Sequence, residues 1–437
     1  MTYYKLSKCT IQLVMAHRGV QSGPMPRLPA PSPSSFSPFS FPVFRAIWIA
    51  NLASTIGSMV QSVGASWLMT ELTPSHQLVA LVQASVVIPM LLVGPLAGVI
   101  ADRHDRRLIM LASQIAMLSA SLLLTVLTML DKIGAYSLLA CTLAVGCGFA
   151  FNAPAWQASV RSQVDSAHLP QAITLNTIAF NIGRSVGPAL GGVILSLQGP
   201  AATFAFNSVS YLAMIVVLLR WHPGFTPPNR GPIRAAIIEG LRFCAASSPL
   251  RRIILRGFAF GFGAIGFHAL LPSLVRSRMM GTELTFGLSL AAFGVGSILC
   301  ALFVGHARRR WGTEAVLAAS SAAYALGMLP FALLPASPLV YPGAALAGAG
   351  WVAALTTLNV AMQLRSPDAI LGRCLSTYQA ATFGGMAAGA YVLGLLADVV
   401  SLEAATMGSA AWLLLTTLFL RQYAPMPARG EGRIESA

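Results

Sequence analysis

The sequence predicts an all-α membrane protein, twelve transmembrane helices arranged as two pseudo-symmetric six-helix bundles. Three observations carry that expectation. Apolar runs of spanning length, about 20 residues each for a hydrocarbon layer, occur twelve times along the chain. Hydrophobic residues make up 56% of the chain and charged residues only 9%, with a mean hydropathy of +0.71; a soluble protein is about a quarter charged. Basic residues, finally, alternate between the two sides that such runs define.

Residues 1–43 precede the first run and contain no apolar core long enough for a signal peptide. Their Pro-, Ser- and Phe-rich part, 24–42, reads as a disordered cytoplasmic leader, with Met15 or Met25 as alternative starts. Six runs follow at 45–69, 78–101, 108–130, 135–157, 170–197 and 201–219, making a first bundle over 44–219. Residues 220–251 are the longest polar stretch inside the chain and read as a cytoplasmic linker. Pro223, Pro227, Pro228 and Pro232 oppose helix at its start. Ile233–Ala246 then reads as a short amphipathic helix, with Ile237, Ile238, Leu241 and Cys244 on one side, suited to the inner-leaflet surface. Runs at 252–275, 284–304, 313–334, 338–361, 371–399 and 402–420 make the second bundle, 252–420, and leave a cytoplasmic tail, 421–437.

With residue 1 in the cytoplasm, the inner side takes Arg103, Arg106, Arg107, Arg161, Arg220, Arg251, Arg252, Arg256, Arg308, Arg309, Arg310, Arg365, Arg373 and Arg421 among others. The outer loops hold only Lys132, Arg276 and Arg278. This asymmetry places both termini in the cytoplasm. It makes the net charge of +15 an orientation signal and argues against nucleic acid as a partner. The six cysteines have no metal-ligand spacing. Cys141 and Cys147 would lie about 9 Å apart by helical rise, beyond disulfide reach. No metal and no cofactor are expected. The chain has no Gly-x-x-x-x-Gly-Lys-[Ser/Thr] loop for a nucleotide. No span carries an acid–base or metal pair at one-turn spacing, so an enzyme is not expected either.

An internal repeat links the halves. An offset of 203 places Arg106 and Arg107 on Arg309 and Arg310, Asp165 on Asp368, Asn176 on Gln379 and Gly191 on Gly394. The second copy is degraded, because Asp102 falls on Gly305.

Four features could carry mechanism. Between the second and third runs the chain reads Gly94-Pro-Leu-Ala-Gly98-Val-Ile-Ala-Asp102-Arg103-His-Asp-Arg106-Arg107. Gly94 and Gly98 share a helix face that another backbone could approach, and the arginines alone would also suit a positive-inside loop. In the first span Asn51, Ser54, Thr55, Ser58, Gln61, Ser62 and Ser66 recur at three- and four-residue spacing. Such a stripe must face water, ligand or another polar helix. In the fifth span Gly183, Gly187, Pro188, Gly191 and Gly192 form Gly-x-x-x-Gly-Pro-x-x-Gly-Gly, which permits close helix approach and a kink. Arg184 lies on the same span near the membrane midplane, where an arginine is either a functional group or is bonded to backbone carbonyls or an amide. All thirteen acidic residues fall in loops, tails or helix ends, so no carboxylate is placed to pair with it. His268 is the mid-membrane group that titrates near neutrality, or else a packed neutral imidazole.

The loop motif Gly98-x-x-x-Asp102-Arg103-x-x-Arg106-Arg107 resembles the loop signature of the major facilitator superfamily of transporters, and Gly183–Gly192 resembles that superfamily's antiporter motif, typical of exporters. Two longer segments are similar to its transmembrane secretion effector, or enterobactin-exporter-like, branch: Phe151-Asn-Ala-Pro-Ala-Trp-Gln onward to Asn176, and Thr357-Leu-Asn-Val-Ala-Met-Gln onward to Gly372-Arg-Cys-Leu-Ser-Thr-Tyr-Gln. The resemblance implies the major facilitator fold and a secondary-active exporter of a siderophore-like, drug-like or other amphipathic molecule in a cell inner membrane. It implies a monomer embedded in the lipid bilayer that works by alternating access, with a proton or other coupling ion. An importer, or a non-transporting sensor or scaffold, is the alternative. The candidate cavity lining is Asn51, Ser58, Gln61, Gln83, Asn181, Arg184, His268, Asn359, Tyr378 and Gln379, around a small-molecule substrate. The chain lacks the mid-membrane arginine of the fourth span that accompanies the loop motif in many drug–proton antiporters. The proton-carrying residue is therefore not carried over.

Overall fold

The structure is a computed structural model that describes residues 36–224, 233–334, 337–367 and 370–426, without the side chains of 95, 99, 102 and 233–237. Most of the leader, the end of the tail and Asp368 of the repeat lie outside the described residues. The chain is helical throughout those segments, in the order α1 (Pro42–Leu72), α2 (His76–Leu92), α3 (Gly94–Arg103), α4 (Arg106–Met129), α5 (Ala135–Ser159), α6 (Leu169–Arg220), α7 (Ile233–Ala246), α8 (Ser248–Ser273), α9 (Glu283–Leu333), α10 (Val340–Arg365), α11 (Leu371–Val399) and α12 (Leu402–Tyr423).

The helix ends follow local chemistry. Ser75 starts α2 by accepting from the Leu78 N–H at 3.3 Å, Asp105 starts α4 through the Arg107 N–H at 2.9 Å, and Ser401 starts α12 through the Ala404 N–H at 3.1 Å. Each cap satisfies a first-turn donor with no helical acceptor.

Nine helices among the described residues are long and apolar enough to cross a membrane, where twelve runs were expected. The difference has two causes. Runs five and six form the single helix α6, and runs eight and nine form α9. A straight α9 of 51 residues would be about 77 Å long, more than twice a hydrocarbon layer of about 30 Å. Each helix is broken by one glycine in the left-handed region, Gly199 at φ +78° and Gly312 at φ +83°, a conformation that any side chain would strain. Run two is not one helix either. It breaks at Val93, just before Gly94 and Pro95, into α2 and α3. Pro95 has no N–H to continue the ladder.

The helices pack as two bundles. In the first, α1 lies against both arms of α6. Gly183, Gly187 and Gly191 admit Thr55, Met59 and Val63, while Gly57 and Gly64 of α1 admit Ser210 and Thr203. In the second, α8 packs on α11 and α12, and Gly385 and Gly389 sit against the α8 backbone at Phe258 and Phe262. The linker helix α7 has the predicted bounds and rests on the second bundle. Glu239 pairs with Arg373 at 2.5 Å, and Gly240 lies against the Arg373 side chain. Hydrogen bonding with Cys374, together with burial, raises the Cys244 thiol above its ordinary pKa.

Candidate functional site

Two seams join the bundles. The first arm of α6 crosses the first arm of α9, and α2 crosses α11. In the first seam a Cβ on Gly192 would lie 2.6 Å from the Gly287 Cα, so backbone touches backbone. Further along, Ser185 Oγ donates to the Gly294 carbonyl at 3.2 Å. In the second seam Gly394 meets Ala80 and Gln77. The fifth-span glycine motif thus divides its labour. Gly183, Gly187 and Gly191 face α1 inside the first bundle, and Gly192 faces the other bundle.

At one end of the molecule the seams are reinforced by charge. The Asp398 carboxylate, at the end of α11, accepts from Ser75 Oγ at 2.6 Å, His76 N at 2.5 Å and Gln77 N at 3.2 Å. It therefore caps α2 from the other bundle, where the helix dipole favours an anion. Beside it Arg276 pairs with Glu71 at 3.3 Å, donates to Thr70 Oγ1 at 3.2 Å and lies 5.7 Å from the Trp67 ring. Trp67 stacks on Phe286 with centroids 6.0 Å apart.

The arginine bonds described at the opposite end stay within one bundle. Arg106 donates to the Ala158 carbonyl at 3.0 Å, and Arg107 to those of Leu218 at 2.8 Å and Leu219 at 3.1 Å. Arg308 donates to Thr356 at 2.9 Å. Arg256 holds the end of α12 through Leu420 and Ala424 and pairs with Glu314 at 3.0 Å. The close backbone approach expected at Gly94 and Gly98 is not made, because no atom lies within 4 Å of a Cβ built at either. The Asp102 side chain lies outside the described residues.

Between the two ends sits Arg184, half-way along the first arm of α6 and about 22 Å from its start by helical rise. It is partly accessible. Its guanidinium lies 5.7 Å from the Phe180 ring on its own helix and 5.7 Å from the Trp351 ring on α10 of the other bundle. Rings attract a cation through their negative faces. Trp351 belongs to an aromatic box that includes His268, 5.3 Å away by ring centroid, Tyr324 at 6.1 Å and Phe293 at 6.3 Å. His268 lies edge-on to Phe293 at 4.8 Å, and its Nδ1 is buried with no hydrogen-bond partner. The Tyr324 hydroxyl donates to the Ala264 carbonyl.

The structure brings Arg184 and His268 to one place and spreads the other candidates out. Gln61 is buried and accepts from Ser121 at 2.6 Å and Asn207 at 2.8 Å, all within the first bundle. Ser58 meets the Tyr211 hydroxyl at 3.4 Å in the same bundle. Gln83 of α2 donates to Ser66 at 3.1 Å, and Asn181 to the Thr177 carbonyl of its own helix at 2.9 Å. Asn51 is half-buried, Asn359 accepts from Gln363 at 2.5 Å, Tyr378 is buried against Gly257, and Gln379 is exposed. Sequence reasoning missed Trp351, Phe293, Tyr324 and Phe180. An aromatic in an apolar span carries no periodic signal that separates a site wall from core packing.

Two bundles joined across glycine seams, with Arg184 between them, have the helix packing of the major facilitator fold. Within that superfamily the chain belongs to the transmembrane secretion effector family, which it matches over residues 33–436. It is 25% identical over 382 residues to the multidrug efflux pump Tap of Mycolicibacterium fortuitum, covering 84% of this chain and 92% of that one. It is 25% identical over 390 residues to the enterobactin exporter EntS of Shigella boydii, covering 87% and 91%. Among solved structures, the nucleoside transporter NupG (D323A mutant) superposes with a TM-score of 0.70 at 13% identity, covering 86% of this chain and 98% of NupG.

Proposed function

We propose that the protein exports a small organic molecule across a bacterial inner membrane by alternating access between its bundles. One observation carries this reading. Arg184 of the first bundle meets Trp351 of the second at mid-depth, beside a seam that Asp398 and Arg276 reinforce with charge at one end. Each arm of α6 and α9 counts as one crossing and the pair α2–α3 together as one, twelve in all, in bundles 44–219 and 252–420 joined by the linker 220–251. The uneven distribution of basic residues supports cytoplasmic termini. The sealed end then faces outward, and the inner end is the one where cargo enters. Gly98, Asp102, Arg103, Arg106 and Arg107 close that inner end after loading, and Asn51, Gln83 and Asn181 border the path. Tap is an efflux pump and EntS an exporter, which supports the outward direction. The working unit is a monomer.

The test is uptake of anionic, neutral and cationic dyes into energised everted vesicles from cells that express the protein. At least one dye class should accumulate, and Gly192→Val should abolish the accumulation. Uptake into right-side-out vesicles instead would reverse the direction. No protein-dependent movement in either preparation would remove the transport reading.

A further inference from the structure

We propose that the cargo is an organic anion and that each cycle carries net charge, so that the membrane potential drives export and no proton is exchanged at the site. This rests on Arg184 and its aromatic surroundings being the substrate site and on the outward direction.

Three observations bear on charge. Arg184 is a cation at the middle of a span whose neighbours are rings. Among the described residues no carboxylate, hydroxyl or carbonyl accepts from it. Its planar fork is therefore open to bidentate oxygens brought by a ligand. Nearby, the buried and unpartnered Nδ1 of His268 leaves a second polar group for the same ligand. Third, five of the described acids are committed to partners away from this site. Glu71 pairs with Arg276, Glu314 with Arg256, Glu239 with Arg373 and Glu403 with Arg278, while Asp398 caps α2.

The titratable side chains that face Arg184 are His268 from α8 and Tyr324 from the second arm of α9. Neither has an acid beside it among the described residues. Among the described residues the empty site thus carries one fixed positive charge and no acid that could trade a proton for cargo. When a monoanion binds, the loaded site is neutral and crosses without electrical work. After release the empty site returns with the Arg184 charge directed inward, which an inside-negative potential favours. The sum is one negative charge moved out per cycle. A potential of 100 mV then sustains an anion gradient of about fifty-fold. A carrier that swapped a proton for an anion would move two charges and would need a group that releases the proton as the anion binds. Arg184 keeps its proton at any working pH and cannot be that group.

The test uses the full chain in proteoliposomes and naphthalene-2-sulfonate, an anion at every working pH, with naphthalene-2-sulfonamide as its neutral counterpart. Binding is read from tryptophan quenching, with Trp351→Phe to locate the signal. The sulfonate should bind, the sulfonamide should bind at least tenfold more weakly, and Arg184→Gln should remove the difference. Arg184→Lys, which keeps the charge, should restore part of it. Accumulation is then measured under a potassium diffusion potential with no pH gradient, and under a pH gradient with the potential clamped at zero. It should follow the potential alone and persist in His268→Gln. Sulfonate that fails to bind, or binds equally in Arg184→Gln, overturns the site and this inference with it. Sulfonate that binds through Arg184 but accumulates with the pH gradient leaves the site standing and overturns the charge-driven cycle.

Discussion

At the scale of single residues, Asp398 shows how one carboxylate can hold two bundles together. Its three contacts go to the first turn of α2, whose N–H groups have no helical acceptor. Loss of a helix cap costs about 0.5–2 kcal/mol. Asp398→Asn keeps the shape and removes the charge, so the sealed end should open ~2- to 30-fold more often by that estimate. The measurement is the labelling rate of Gln77→Cys by an impermeant maleimide in a cysteine-free background. A rate equal to that of the parent would show that the cap does not hold the seal. Arg184 was legible in the sequence as a charge in an apolar run, and the absence of a paired acid was legible with it. Its contact with Trp351 was not, because hydropathy registers the cost of a buried charge but says nothing about which helix supplies the ring beside it.

At the scale of helices, the fifth-span glycines make a contrast that substitution can read. Gly191 faces Val60 and Val63 of its own bundle, and Gly192 faces the Gly287 backbone of the other. Overfilling a packed interior costs about 1–3 kcal/mol. Gly191→Val should therefore lower thermal stability in every conformation. Gly192→Val should leave each bundle folded while preventing the sealed state, so transport falls more than tenfold at near-normal yield. If both variants lose yield equally, the division of labour between them is wrong. Gly98 is the converse case. Space is open around it here, so Gly98→Leu should not alter the stability of this conformation but should slow transport by obstructing closure at the inner end. A transport rate equal to wild type would mean that no helix ever approaches that face. Helix periodicity showed that these glycines share faces, and it could not show which partner each face meets. The polar stripe of α1 has the same limit: Gln61 was legible as polar, and its bonds to Ser121 and Asn207 were not.

At the scale of the whole molecule, the helix bounds were legible because burial in hydrocarbon dictates both length and composition. The run at 371–399 and the amphipathic segment at 233–246 coincide with α11 and α7. The break at Val93 was not legible, because all its flanking residues are apolar and the proline acts on backbone geometry rather than hydropathy. The two seams, α6 with α9 and α2 with α11, exchange under the internal repeat, which the offset through Gly191 and Gly394 had marked. Orientation has a direct check. With both termini inside, Ser137→Cys should label from outside the cell and Thr313→Cys should not. The reverse pattern would invert the molecule and, with it, the direction of transport.

The single-residue turns at Gly199 and Gly312 also bear on how the chain is made. A connection of one residue holds the two arms of α6, and likewise those of α9, as a tight hairpin. We expect such a pair to enter the membrane together, so that the arm beginning at Leu169, with its glycine motif and Arg184, settles only once Arg220 has been made. A substitution at Gly199 would be felt there, in biogenesis, before the finished carrier ever turned over.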